Sequence, residues 1–157
     1  MQIVTDPSAH PFPGERAVVT IGAYDGLHLG HQAVIAQVRA LAAERGARSA
    51  IVTFDRHPAT VVRPESAPRL LTDSDQRMEL IAATGLDAAV VLPFDAAAAD
   101  EPPADFVERV LVGCLHVTAV VIGEDFHFGH GREGNVDLLR KLGQVHDFDV
   151  VPVELLP

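Results

Sequence analysis

The sequence predicts an α/β protein built on a doubly wound, parallel, five-stranded sheet. Three observations lead there. Short apolar, β-branched runs recur along the chain, segments of helical periodicity separate them, and glycine, proline or a capping residue marks the joints. Strands that are apolar at every position are covered on both faces, and single helices between them make βαβ units. Right-handed crossovers wind such units into a sheet with helices on both sides.

The first run, Ala17-Val18-Val19-Thr20-Ile21, ends against Gly22. From about His28 to Arg45 the apolar positions Val34, Ile35, Val38, Leu41 and Ala42 follow helical spacing, and Gly46 supplies the stop. Ala50 to Phe54 forms the second strand. Thr72-Asp73-Ser74-Asp75 has the form of a capping box and opens a helix to about Thr84, with Gly85 after it. Ala88 to Leu92 is the third strand. Pro102 and Pro103 precede a helix from Asp105 to about Leu115. Val117 to Ile122 is the fourth strand, Asn135 caps a helix through Leu142 that Gly143 closes, and Asp149 to Val153 is the fifth. The run Ala96 to Ala99 is too short to be given an element. There is no linker-like stretch, so residues 1–157 read as one domain.

Composition narrows the function classes. Over 157 residues, 48% are hydrophobic and 22% charged, the balance of a globular protein. No apolar run approaches the ~20 residues that cross a bilayer, and the N-terminus has neither the basic flank nor the apolar block of a signal peptide. Cys114 is the only cysteine and lies in an apolar stretch; a buried, inert thiol in a reducing cytoplasm is the expectation. The net charge of −10 repels nucleic acid and anionic lipid, so neither is expected as a partner.

In a doubly wound sheet, ligands bind beyond the carboxyl ends of the strands near a switch point. The loops that follow the strands are therefore the ones to read. After the first strand comes Gly22-Ala23-Tyr24-Asp25-Gly26-Leu27-His28-Leu29-Gly30-His31. Two histidines three apart at a helix opening share one face, with ~5–6 Å between their Cβ atoms. Gly30 leaves room for a ligand to approach the backbone, and the helix N-terminus adds free N–H groups and partial positive charge. This pattern suits a polyphosphate, with imidazoles donating to oxygens that gain charge during reaction.

The second strand runs into Thr53-Phe54-Asp55-Arg56-His57-Pro58, and Arg56, Arg63 and Arg69 gather cations in an otherwise acidic chain. Arginine's planar fork suits phosphate. After the fourth strand stands Gly123-Glu124-Asp125-Phe126-His127-Phe128-Gly129, with Arg132 and Gly134 beyond. An extended chain turns Phe126 and Phe128 to one side, and aromatic faces suit a planar heterocycle. A zinc site from Asp125, His57, His127 and His130 is disfavoured, because that spacing matches no standard set.

These three segments resemble the FAD synthetases of bacteria, within the nucleotidylyltransferase superfamily. The first resembles its His-x-Gly-His signature in the wider frame Gly-x-x-Asp-Gly-x-His-x-Gly-His-Gln; the second resembles the Thr-Phe-acid-x-His-Pro element; the third resembles Gly-x-Asp/Asn-Phe-x-Phe-Gly. The likeness runs from about Ala17 to Leu156. It implies a Rossmann-like nucleotidylyltransferase fold, cytoplasmic location, and transfer of AMP from ATP to FMN to give FAD and pyrophosphate, with magnesium accompanying ATP. It also implies His28 and His31 as catalytic residues. Gly22, Ala23, Tyr24, Asp25, Gly26 and Gly30, with the two histidines, would bind ATP. Phe54, Asp55, His57, Pro58 and Arg63, with Asp125, Phe126, Phe128 and Arg132, would bind FMN. The family usually continues into a Ser-Ser-Thr-x-x-Arg element and a β-barrel riboflavin kinase module. Neither is in this sequence, so the expectation is a C-terminally shortened fold. The competing readings are another nucleotidylyltransferase with the same signature, and a non-catalytic module that binds nucleotide or flavin.

Overall fold

The computed structural model describes residues 1–24, 29–56 and 74–154. Its element order is β1 (Gln2–Val4), β2 (Ala17–Ile21), α1 (Leu29–Arg45), β3 (Arg48–Phe54), α2 (Ser74–Ala82), β4 (Ala88–Leu92), α3 (Ala96–Ala99), α4, β5 (Val117–Gly123), α5 (Val136–His146) and β6 (Asp149–Val153). Helix α4 starts as an α-helical turn, Pro103–Phe106, and continues as a π-helix, Val107–Cys114.

Among the described residues the sheet has six strands rather than five, in the order β1-β4-β3-β2-β5-β6, all paired in parallel. The additional strand, β1, pairs only with β4, over Gln2 to Val4, and its Ile3 is half exposed. Three residues are too few to show a period, which is why the sequence did not reveal it. From β2 the chain steps outward through β3 to β4, then crosses back to β5 and β6. The direction of winding therefore reverses between β2 and β5.

The winding divides the core in two. Ala17, Val19, Ala50, Val52, Val120 and Ile122 point to one face and pack with α4 and α5 through Val107, Val110, Leu111 and Leu139. Val18, Ile51, Ala89, Ala119 and Val121 point to the other and pack with α1 and α2 through Val34, Ile35, Val38 and Ile81. All five residues of β2 are buried, as a central parallel strand requires.

Helix boundaries depart from expectation in three places. Pro103 begins α4 two residues early, where its missing N–H costs nothing, and from Val107 the turns widen so that Leu115 N–H reaches the Val110 carbonyl at 3.2 Å. The alanine run forms a helix after all, because the Asp95 carboxylate caps it by accepting from Ala98 N–H at 2.8 Å. Gly143 does not close α5: the helix runs to His146 and Asp147 takes the left-handed conformation, φ 63°, that ends it. Gly143 is buried inside the helix because Phe148 folds back over it, donating its N–H to the Gly143 carbonyl at 3.0 Å. Asn135 caps as expected, accepting from Leu138 N–H at 2.9 Å.

A Cβ on Gly143 would run into the Phe148 carbonyl and lie 3.3 Å from its ring. Gly143→Ala is therefore expected to destabilise the protein by about 1–3 kcal/mol despite alanine's better helix propensity, as read by urea unfolding.

Candidate functional site

The reversal of winding leaves a crevice beyond the carboxyl ends of β2 and β5, where helix α1 begins. Its volume is about 120 Å³, and Gly22, Ala23 and Tyr24 line it from one strand end, Gly123 and Asp125 from the other, and His31 from α1. The first turn of α1 carries no acidic side chain, so its N-terminus keeps its positive character for an anion. Asp25, Gly26 and His28 lie outside the described residues.

His31 is held from behind. The Tyr24 ring packs against it with centroids 4.6 Å apart, and Tyr24 itself sits in the left-handed region, φ 52°. The Tyr24 hydroxyl is buried and shares a 2.6 Å hydrogen bond with the Thr20 hydroxyl. Burial pushes the phenol up to about 12, against a smaller lowering by the Thr20 hydrogen bond. Tyr24, expected from the sequence as a nucleotide contact, thus presents its ring to His31 while its polar end is taken up within the fold.

A second cavity, about 340 Å³, adjoins the first, and Gly22, Ala23 and Phe126 line both. Its walls are aromatic: Phe54 meets Phe94 edge-on at 5.3 Å, Phe126 stacks near-parallel on Phe128 at 5.5 Å, and Phe106 stands 5.8 Å from Phe128. Phe128 is fixed by exchanging backbone hydrogen bonds with Gly134, at 3.1 and 2.8 Å. Any Cβ at Gly134 would lie 2.6 Å from the Phe128 ring. Arg132, with φ 57°, reaches the same cavity.

Of the residues expected at the flavin site, Phe54, Phe126, Phe128 and Arg132 come together in this cavity. Asp125 lines the smaller crevice instead. Asp55 lies outside the cavity wall; its carboxylate accepts from Phe94 N–H at 3.0 Å and so orients a wall residue. His57, Pro58 and Arg63 lie outside the described residues. Sequence reasoning missed Leu92, Phe94, Phe106, Glu101 and Arg109. The loop Phe94 to Pro103 was among those to read, since it follows a strand end as the three motif-bearing loops do, but no residue in it was given a role. Arg109 forms a two-pronged pair with Glu101, at 2.9 and 2.8 Å, and these hydrogen bonds hold its guanidinium still more firmly in the charged form.

One buried cation ties the site loops together. Arg77, on α2, is 6% exposed; its guanidinium donates to the Ala23 carbonyl at 3.1 Å and to the Phe54 carbonyl. The Ala23 carbonyl also accepts from the Thr53 hydroxyl at 3.2 Å. A guanidinium suits this task because its planar fork reaches two acceptors at once. Cys114, by contrast, is buried, and burial raises its thiol above the ordinary value, as an inert cysteine requires.

A parallel sheet that reverses its winding beside a helix N-terminus defines a Rossmann-like, doubly wound fold. The crystal structure of a macrolide-efflux protein from Streptococcus pneumoniae shares that fold, with a TM-score of 0.79 over 98% of this chain and 50% of that one, at 19% identity. The chain belongs to the FAD synthetase family, whose model matches residues 12–156. Curated relatives named bifunctional riboflavin kinase/FMN adenylyltransferase align with it. That of Buchnera aphidicola (strain APS) is 32% identical over 89% of this chain and 45% of its own length. The corresponding figures are 38%, 85% and 42% for Pseudomonas fluorescens, and 32%, 90% and 45% for Escherichia coli K12. The chain thus spans a little under half the length of these relatives. Among the described residues no helix is long and apolar enough to cross a membrane.

Two outcomes follow from the local chemistry. Arg77→Met takes the guanidinium from the Phe54 carbonyl and leaves the Ala23 carbonyl to the Thr53 hydroxyl, and should lower stability by about 1–3 kcal/mol in thermal unfolding, with Arg77→Lys recovering part. Tyr24 has a folded-state value above its unfolded one, so its contribution is complete below pH 10 and is lost as pH rises from 10 towards about 12. Tyr24→Phe should therefore flatten the alkaline fall in stability across that window, measured by denaturant midpoints at each pH.

Proposed function

We propose that this chain transfers the adenylyl group of ATP to the phosphate of FMN, giving FAD and pyrophosphate, in the cytoplasm. The observation that carries the reading is the pair of adjoining cavities. The small one, at the N-terminus of α1, suits ATP phosphates, and the large aromatic one suits an isoalloxazine ring. Because they meet at Gly22, Ala23 and Phe126, the flavin phosphate and the α-phosphorus of ATP have one place to come together.

The attacking phosphate oxygen is already anionic, so no base has to take a proton from it. The protein has to align two anions and stabilise charge growing on the leaving pyrophosphate. His31 lines that crevice, and the motif supplies His28 as the second donor. Among the described residues, Asp125 is the carboxylate lining the crevice, which fits a magnesium ion carried mainly by ATP and water. When bound, that ion neutralises phosphate charge. The relatives' names give the same transfer activity, and the family description gives the product.

The test is to supply the chain with magnesium, ATP and FMN and to follow FAD by chromatography. Binding of both substrates without FAD would leave a binding module and end the enzymatic reading. Losing a donor aimed at developing charge costs ~2.7–4 kcal/mol, so His31→Ala, and likewise His28→Ala, should cut turnover roughly 100- to 1,000-fold. FMN affinity should change by less than about threefold, because the imidazoles act on the transition state. Steady-state turnover equal to that of the wild type would remove these histidines from the mechanism.

A further inference from the structure

We propose that the Glu101–Arg109 pair reads the pyrimidine edge of the flavin ring and is the specificity determinant of the acceptor cavity. The inference rests on the preceding reading of that cavity as the FMN site. Its walls are apolar along most of their length, formed by Phe54, Leu92, Phe94, Phe106 and Phe128. One end, at Gly22 and Ala23, opens to the nucleotide crevice. Glu101 and Arg109 stand where the wall is shared with an outer hollow lined by Thr5, Asp6 and Pro7. The flavin phosphate has to lie at the Gly22 end for reaction, which directs the ring toward the paired charges.

The two ends of an isoalloxazine differ chemically. The dimethylbenzene end has no polar atom, whereas the pyrimidine end presents carbonyl, N3–H and carbonyl in a row. Arg109 spends its Nε–H and one Nη2–H on Glu101, at 2.9 and 2.8 Å, leaving three of its five donors. Each Glu101 oxygen keeps acceptor capacity. The pair can therefore accept from N3–H and donate to an adjacent carbonyl without giving up its own bonds. It is also set in place beforehand: the Glu101 main-chain carbonyl accepts from His130 N–H at 3.0 Å, and Arg109 is carried on the π-helical part of α4. The side chains are 20% and 43% exposed, so a ring lacking that edge would strip water from both and return nothing.

The experiment compares FMN with 3-methyl-FMN, whose N3 donor is gone, by flavin fluorescence titration. The wild-type chain should bind 3-methyl-FMN at least about tenfold more weakly. The variant Glu101→Leu/Arg109→Met, which removes both charges together, should bind the two within about twofold of each other. Glu101→Gln, which keeps the shape of the wall, should reduce the wild-type ratio to about threefold and serves if the double variant does not fold. A wild-type ratio near one, or an undiminished ratio in the folded variants, overturns the role of the pair. A wild-type chain that binds no FMN at all overturns the functional reading itself, a distinct result.

Discussion

The rest of the molecule depends on β2 being hydrogen-bonded on both sides. With β3 on one flank and β5 on the other, its carboxyl end is the point from which the sheet winds both ways. Helices must leave such a point on opposite faces, and two bulky layers cannot meet directly above a strand end. A gap is therefore built in by topology before any side chain is chosen. At its floor Gly22 is still tied to the sheet, its N–H donating to the Val52 carbonyl at 3.0 Å.

A gap is useful only if its rims hold still, and here the polar groups beneath them do that work. Arg77 sits under the rims of β2 and β3, and Thr53 adds a second donor to the Ala23 carbonyl. Tyr24 and Thr20 close a hydroxyl pair in the same layer. Burying a guanidinium is costly unless its donors are engaged, and two strand-end carbonyls engage it at the positions that shape the site. The apolar core gives the sheet its stability, while this thin polar layer sets the position of the loops.

The long elements were legible in the sequence because their periods are long enough to read. Uninterrupted β-branched runs marked the five longer strands, and Gly46 and Asn135 marked helix ends by the chemistry their positions need. What failed was decided by contacts distant in sequence or by very short segments. The strand β1 exists only because β4 offers it an edge. Gly143 read as a stop, yet it is a contact surface for Phe148, which no local rule conveys. At the site, motif residues such as Phe126 and Phe128 stood out by their spacing. Arg109 did not, because a π-helix rotates side chains away from the 3.6-residue pattern used to place them; Glu101 lies before α4 and Phe106 in its first turn, where no motif drew notice. Asp125 and Asp55 stood out through the family-like elements that contain them, but the fold takes one to the crevice and uses the other to orient Phe94.

The two borders of the sheet bear on how the molecule lives among its copies. An open parallel sheet presents unpaired backbone on each flank, an invitation to any passing strand. Here β1 supplies only three residues on one side, and on the other β6 carries Pro152, which has no N–H to give. Among the described residues the sheet is thus blunted at both margins and gives a neighbouring strand little on which to extend it.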